Sequence, residues 1–131
     1  GSAFADFARD EYTTLPERRD RPLYVHMDVG WRYADPRVGL APDHAGYVAG
    51  EQVADLVAAV FERFVSLSIQ HLVNEMGKAI LERWPQLAEV SFEAQNRLWD
   101  TAVTSDTDER LKVYTDPRPP YGRIGLVLRR D

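Results

Sequence analysis

The chain has no cysteine in 131 residues, which excludes disulfides and every cysteine-based metal site, and fits a reducing cytoplasm. No apolar run approaches the roughly 20 residues of a membrane-spanning helix, and there is no signal-peptide pattern. No membrane partner is expected. Basic charge is in deficit: 16 Lys and Arg stand against 21 Asp and Glu, a net charge of −5. That balance argues against nucleic acid as a partner. Glycine-rich phosphate cradles are missing, since neither GxGxxG nor GxxxxGK(S/T) occurs. The serines lack a nucleophile-elbow setting, so hydrolase chemistry has no support. The three histidines, His26, His44 and His71, share no helical pairing with a carboxylate of the H-E-x-x-H kind, and no metal is expected.

What is present is a soluble globular pattern, 44% hydrophobic and 28% charged, with length enough for one domain and a real core. The chain is organised around Ser66-Leu67-Ser68-Ile69-Gln70, where one apolar helix pattern stops and another begins. Ser68 reads as an N-cap whose hydroxyl accepts from first-turn N–H groups. Ile69, Leu72, Val73, Met76, Ile80 and Trp84 then form one apolar face, and Pro85 stops the helix. The first-turn N–H groups beside Ile69 and Gln70 favour an anion. Gln70 reads either as an ordinary polar first-turn residue or as an amide offered to a ligand.

Upstream, residues 4 to 19 read as a loop with one turn. Leu23, Val25, Met27, Val29, Trp31 and Tyr33 alternate with polar neighbours as a half-buried strand does. Asp35-Pro36, Gly39 and Pro42 give turn signals, with a short strand expected around Val38 to Leu40. Asp43 is expected to cap a helix carrying Tyr47, Val53, Leu56, Val57, Val60, Phe61 and Phe64. Residues 87 to 99 resume strand character, 100 to 109 read as loop, 111 to 114 as a short strand and 121 to 129 as a final strand. Strands flanking a helical pair without βαβ alternation predict α+β, an antiparallel sheet with helices on one face.

Arg9-Asp10-Glu11-Tyr12-Thr13-Thr14-Leu15 followed by Asp20-Arg21 resembles a segment of the urate oxidases. So do Ser68-Ile69-Gln70 with Glu75-Met76-Gly77, Pro85 to Val90, Asn96, and the closing Pro120-Tyr121-Gly122-Arg123-Ile124. The resemblance runs in order over nearly the whole chain. It implies the tunnelling fold (T-fold), an antiparallel four-stranded sheet with two tandem helices on one face. It further implies that residues 1–131 are a single T-fold domain, the second of two such repeats, with Gly1-Ser2 either native or a cloning scar.

Carried over residue by residue, the resemblance implies that Phe4 stacks on a purine and Arg21 clasps its carbonyl edge. The Ile69 N–H and Gln70 complete the clamp, and Asn96 lies over the ring where oxygen or water sits. A flat acidic heterocycle suits a stacking face, a bidentate cation and a helix N-terminus. The implied reaction is cofactor-independent oxidation of urate by O2 to 5-hydroxyisourate and hydrogen peroxide, in the cytoplasm (in peroxisomes if eukaryotic). One departure stands out: the family's relay histidine, two residues after the asparagine, is Leu98 here. The lysine and threonine that partner it belong to the first repeat. The expected assembly is therefore a barrel oligomer with another T-fold unit, and the chain alone is expected to be inactive. The competing expectations are a non-catalytic purine- or pterin-binding T-fold protein, and a divergent T-fold enzyme for another planar heterocycle.

Overall fold

A computed structural model describes residues 4–14, 16–17, 19, 22–120 and 122–130. The first strand, β1 (Leu23–Tyr33), arises from the alternation noted above. It is followed by one helical turn, α1 (Pro36–Gly39), and two tandem helices, α2 (Gly50–Arg63) and α3 (Ile69–Arg83). The long strand β2 (Leu87–Leu98), a ribbon of β3 (Thr101–Thr104) and β4 (Lys112–Tyr114), and β5 (Arg123–Arg129) complete the order. No helix among the described residues is long and apolar enough to cross a membrane.

β1, β2 and β5 form an antiparallel sheet in the order β1-β2-β5, with Val29 opposite Phe92 and Phe92 opposite Leu126. One face of β2 carries Val90, Phe92 and Ala94, all buried, against α3. Leu72, Val73, Met76 and Ile80 meet them from the helix and are also buried. Gly77 sits where α3 comes closest to the sheet. A Cβ there would collide with Leu128 Cδ1 and stand 3.2 Å from Phe92.

The α+β class and the T-fold stand; several local expectations do not. Among the described residues the strands divide into a three-stranded sheet and a separate two-stranded ribbon, where one four-stranded sheet was expected. The 100–109 loop contains β3, because Thr101, Val103 and Thr104 pair with β4, with a register shift that leaves Ala102 unmatched. Val38 to Leu40 are not a strand. Asp35 caps a helical turn there by accepting from Arg37 N–H at 3.0 Å, and Pro36 presets the first helical φ. Asp43 does not cap α2, which starts seven residues later at Gly50 behind Ala49. Alanine has no acceptor, but Gln52 Oε1 reaches back to Ala49 N–H at 3.3 Å, half of a capping box.

Candidate functional site

The end of the molecule that holds the Ser-Ile-Gln stretch is built from one helix and one strand running in opposite directions. α3 stops at Arg83, Trp84 caps it, and the chain turns back at once, with Leu87 N–H bonded to Trp84 C=O at 3.1 Å. Gly77 and Phe92 face each other midway along the pair. Seven residues back along α3 cover about 10 Å and reach Gln70. Four residues onward along β2 cover about 13 Å and reach Asn96. The helix start and the strand end thus come to the same end of the sheet.

At that end Ser68 Oγ accepts from His71 N–H at 3.2 Å, confirming the cap. The N–H groups of Ile69 and Gln70, in the first turn, have no acceptor inside the helix. Ile69 is buried in the core cluster, whereas Gln70 is exposed with its amide in solvent. Asn96, half-buried, continues the helix-facing row of Val90, Phe92 and Ala94 and lies opposite Val25. Leu98 is next in that row, opposite Leu23, and the strand end is anchored by Arg118 N–H to Leu98 C=O at 3.0 Å.

Phe4 is 4% exposed and belongs to the same core cluster as Ile69. Its φ of 52° and that of Asp6, 60°, lie in the left-handed region. Such a conformation costs an aromatic residue roughly 1–2 kcal/mol, so the surrounding packing must hold it. Asp6 N–H donates to Glu17 Oε1 at 3.2 Å, and Asp6 pairs with Arg19. These contacts tie the Phe4 segment to the chain just ahead of β1. Arg21 lies outside the described residues. The Arg-Asp-Glu-Tyr-Thr-Thr stretch is a stapled turn, in which Asp10 N–H donates to Thr13 Oγ1 and Tyr12 N–H to Asp10 Oδ1, each at 2.9 Å.

His71, the histidine nearest this end in sequence, is engaged locally. Its Nδ1 accepts from Leu67 N–H at 3.2 Å, and its ring meets Phe64 edge-on with centroids 5.3 Å apart. One turn on, Glu75 is held below the usual carboxylate range chiefly by Lys78, 2.8 Å away.

The opposite face of the sheet carries a set of charges that hydrophobic periodicity did not single out. Glu89, at the middle of the sheet, accepts from Arg129 of β5 at 2.6 Å and Arg32 of β1 at 3.3 Å. Both guanidinium groups, Arg129 the more strongly, lower its pKa. Glu93 pairs with Arg123 of β5 at 2.8 Å. The signal lay in the polar half of the alternation: acids on β2, bases on both flanking strands. A cavity of about 690 Å³ lies elsewhere, an apolar groove between β1 and α2. Ile69, Gln70 and Asn96 do not line it.

A family model described as uricase matches residues 1–125. The chain is 50% identical over its whole length to the uric acid degradation bifunctional protein of Bacillus subtilis, of which it covers 26%. It is 48% identical over 93% of its length to a uricase of Haloferax volcanii, covering 39% of that protein. Among solved structures, urate oxidase of Bacillus sp. TB-90 superposes with a TM-score of 0.83 at 45% identity, over 98% of this chain and 42% of that one. A uricase from Bacillus fastidious gives 0.80 at 45% identity, over 98% and 40%. The chain therefore spans less than half the length of these relatives. With a family model matched from residue 1 to 125 and the same fold at such identity, the chain belongs to the uricase family.

Proposed function

We propose that this chain supplies the second T-fold unit of a urate oxidase and contributes most of the clamp for urate. The observation that carries the reading is the arrival of α3's N-terminus and Asn96 at one end of the sheet, in a chain of the uricase family. A urate anion has a flat ring, acidic N–H groups and carbonyl oxygens. In this reading the helix N-terminus and Ile69 N–H draw its negative charge, and Gln70 pairs with its amide-like edge. Arg21 grips two acceptors at once, and Phe4 stacks on the ring face. Asn96 holds O2 or water above the ring. Oxygen takes two electrons and two protons to become peroxide, while water adds its hydroxyl to urate to give 5-hydroxyisourate. Protein groups, rather than a metal or organic cofactor, move the protons. The rest of the barrel comes from another T-fold unit, and the site of action is the cytoplasm.

Leu98 supports a second reading. Leucine carries no proton, so the acid–base step has no side chain at the family's relay position. A T-fold protein that binds a purine or pterin without oxidising it keeps the clamp and dispenses with the relay.

Calorimetry on the assembled protein tests the clamp. Urate, or the unreactive analogue 8-azaxanthine, is expected to bind, and Arg21→Ala is expected to weaken binding more than Phe4→Leu. The arginine change leaves ligand acceptors without a charged partner, while leucine keeps part of the apolar contact. Equal affinity for wild type and Arg21→Ala removes Arg21 from the clamp.

A further inference from the structure

Helix N-termini commonly carry acid. A carboxylate in the first turn meets the positive end of the helix dipole. Glutamate or glutamine at the third helical position also closes a capping box by reaching back to a free N–H. α2 follows this pattern, with Glu51 in its first turn and Gln52 at the third position, bonded back to Ala49 N–H. α3 departs from it. In a chain with 21 acids, its first turn holds none, and the third position is His71. Histidine is a weaker helix former than glutamate or glutamine, so propensity does not explain the choice.

The histidine still closes a box. Ser68 Oγ accepts from His71 N–H at 3.2 Å, and His71 Nδ1 accepts in return from Leu67 N–H at 3.2 Å, one residue earlier than the usual partner. An imidazole that accepts at Nδ1 is neutral and keeps its proton on Nε2. Phe64, the residue that caps the end of α2, meets the ring edge-on. The first acid along α3, Glu75, stands a turn further in and is engaged by Lys78 at 2.8 Å and Asn74 at 3.1 Å.

We infer that His71 is a positioning residue for the urate clamp: it fastens the hinge between α2 and α3 while keeping the first turn of α3 free of negative charge. The inference rests on the proposed function, because Ile69 and Gln70, just ahead of His71, are the share of the clamp that α3 supplies. A carboxylate at position 71 lies within about one helical turn, roughly 5.4 Å, of those N–H groups. That is inside the roughly 8–10 Å over which salt screens charge, so it repels an anion held there and competes for the same dipole. The neutral ring supplies the acceptor without the charge.

Glutamine and glutamate at position 71 share one shape and differ in charge, so they separate the two roles. The assembled protein is compared with its His71→Gln, His71→Glu and His71→Leu forms. Thermal unfolding reads the box, and calorimetry with urate under nitrogen, where it is not oxidised, reads the clamp. His71→Leu, which has no acceptor, is expected to unfold at lower temperature and to bind urate more weakly than wild type. His71→Gln is expected to recover most of both losses. His71→Glu is expected to be at least as stable as His71→Gln, its charge favoured by the dipole. It is nevertheless expected to bind urate about tenfold more weakly, a gap that narrows as salt rises. A role in folding alone cannot move affinity and stability in opposite directions. Wild type that binds urate while His71→Gln and His71→Glu bind it equally overturns the inference and leaves the clamp standing. So does a His71→Glu form less stable than His71→Gln, or a His71→Leu form as stable and as tight-binding as wild type. Wild type that binds no urate overturns the clamp itself, and the inference with it.

Discussion

Leu98 is the residue on which the two functional readings divide. It continues the helix-facing row of β2 one step past Asn96, so a histidine there would project from the same side as the asparagine. A positioned acid–base group typically contributes about 10²- to 10⁴-fold. The chain alone is expected to oxidise no urate, and its assembly with first-repeat units to do so slowly. Leu98→His in that assembly is expected to raise the rate, measured as loss of urate absorbance with peroxide formation. Fast turnover by the unmodified assembly would mean that another group carries the proton. His71 would have to release Nδ1 from Leu67 N–H or work through Nε2. The asparagine and leucine were legible from spacing and resemblance. The buried, left-handed state of Phe4 was not, because nothing local in Ala3-Phe4-Ala5 requires a positive φ. Packing against the core imposes it.

At the scale of elements, the parts read correctly were those whose signal is local and periodic. β1 alternates over eleven residues, and Ser68 and Pro85 mark both ends of α3. Asp43 failed as a cap because an acid ahead of an apolar stripe is a common surface feature. Gln52 marked the true start instead, three residues into the helix. The short ribbon was obscured because β3 is polar and outward-facing, so it lacks the apolar half of the alternation. Ser68→Ala is expected to cost about 1 kcal/mol in urea unfolding by removing the acceptor for His71 N–H. A second prediction concerns acid. Glu89 links all three strands, and its two arginines hold its pKa below 4.5, the ordinary value. The stabilisation from this linkage is complete above that ordinary value and is lost as pH falls through the lowered one. Thermal unfolding from pH 6 down to pH 3 is expected to show a shallower loss of stability in Glu89→Gln than in wild type. Parallel curves would mean that the ladder is no stronger than exposed ion pairs usually are.

For the whole molecule, the question is what protects a sheet that, among the described residues, ends at both β1 and β5. Strand edges recruit other strands, and natural proteins answer with charge, cover or closure. β5 has charge: Arg123 and Arg129 flank it and pair inward to β2. β1 has less. Val25, Met27, Val29 and Trp31 are only partly buried, and α2 overhangs without covering them. The β3–β4 ribbon adds Val103, Leu111 and Val113, each more than 60% exposed. A net charge of −5 resists random association but does not satisfy an open edge. Closure into a barrel removes both edges at once, since the units then pair strand to strand around a ring. The expected state is therefore a closed oligomer or a heteromer with first-repeat units, of fixed stoichiometry and insensitive to dilution. Light scattering coupled to size exclusion checks this, with the chain alone and with its partner unit. A well-behaved monomer at tens of micromolar would mean that the edges are protected within one chain, and a barrel would no longer be needed to explain them.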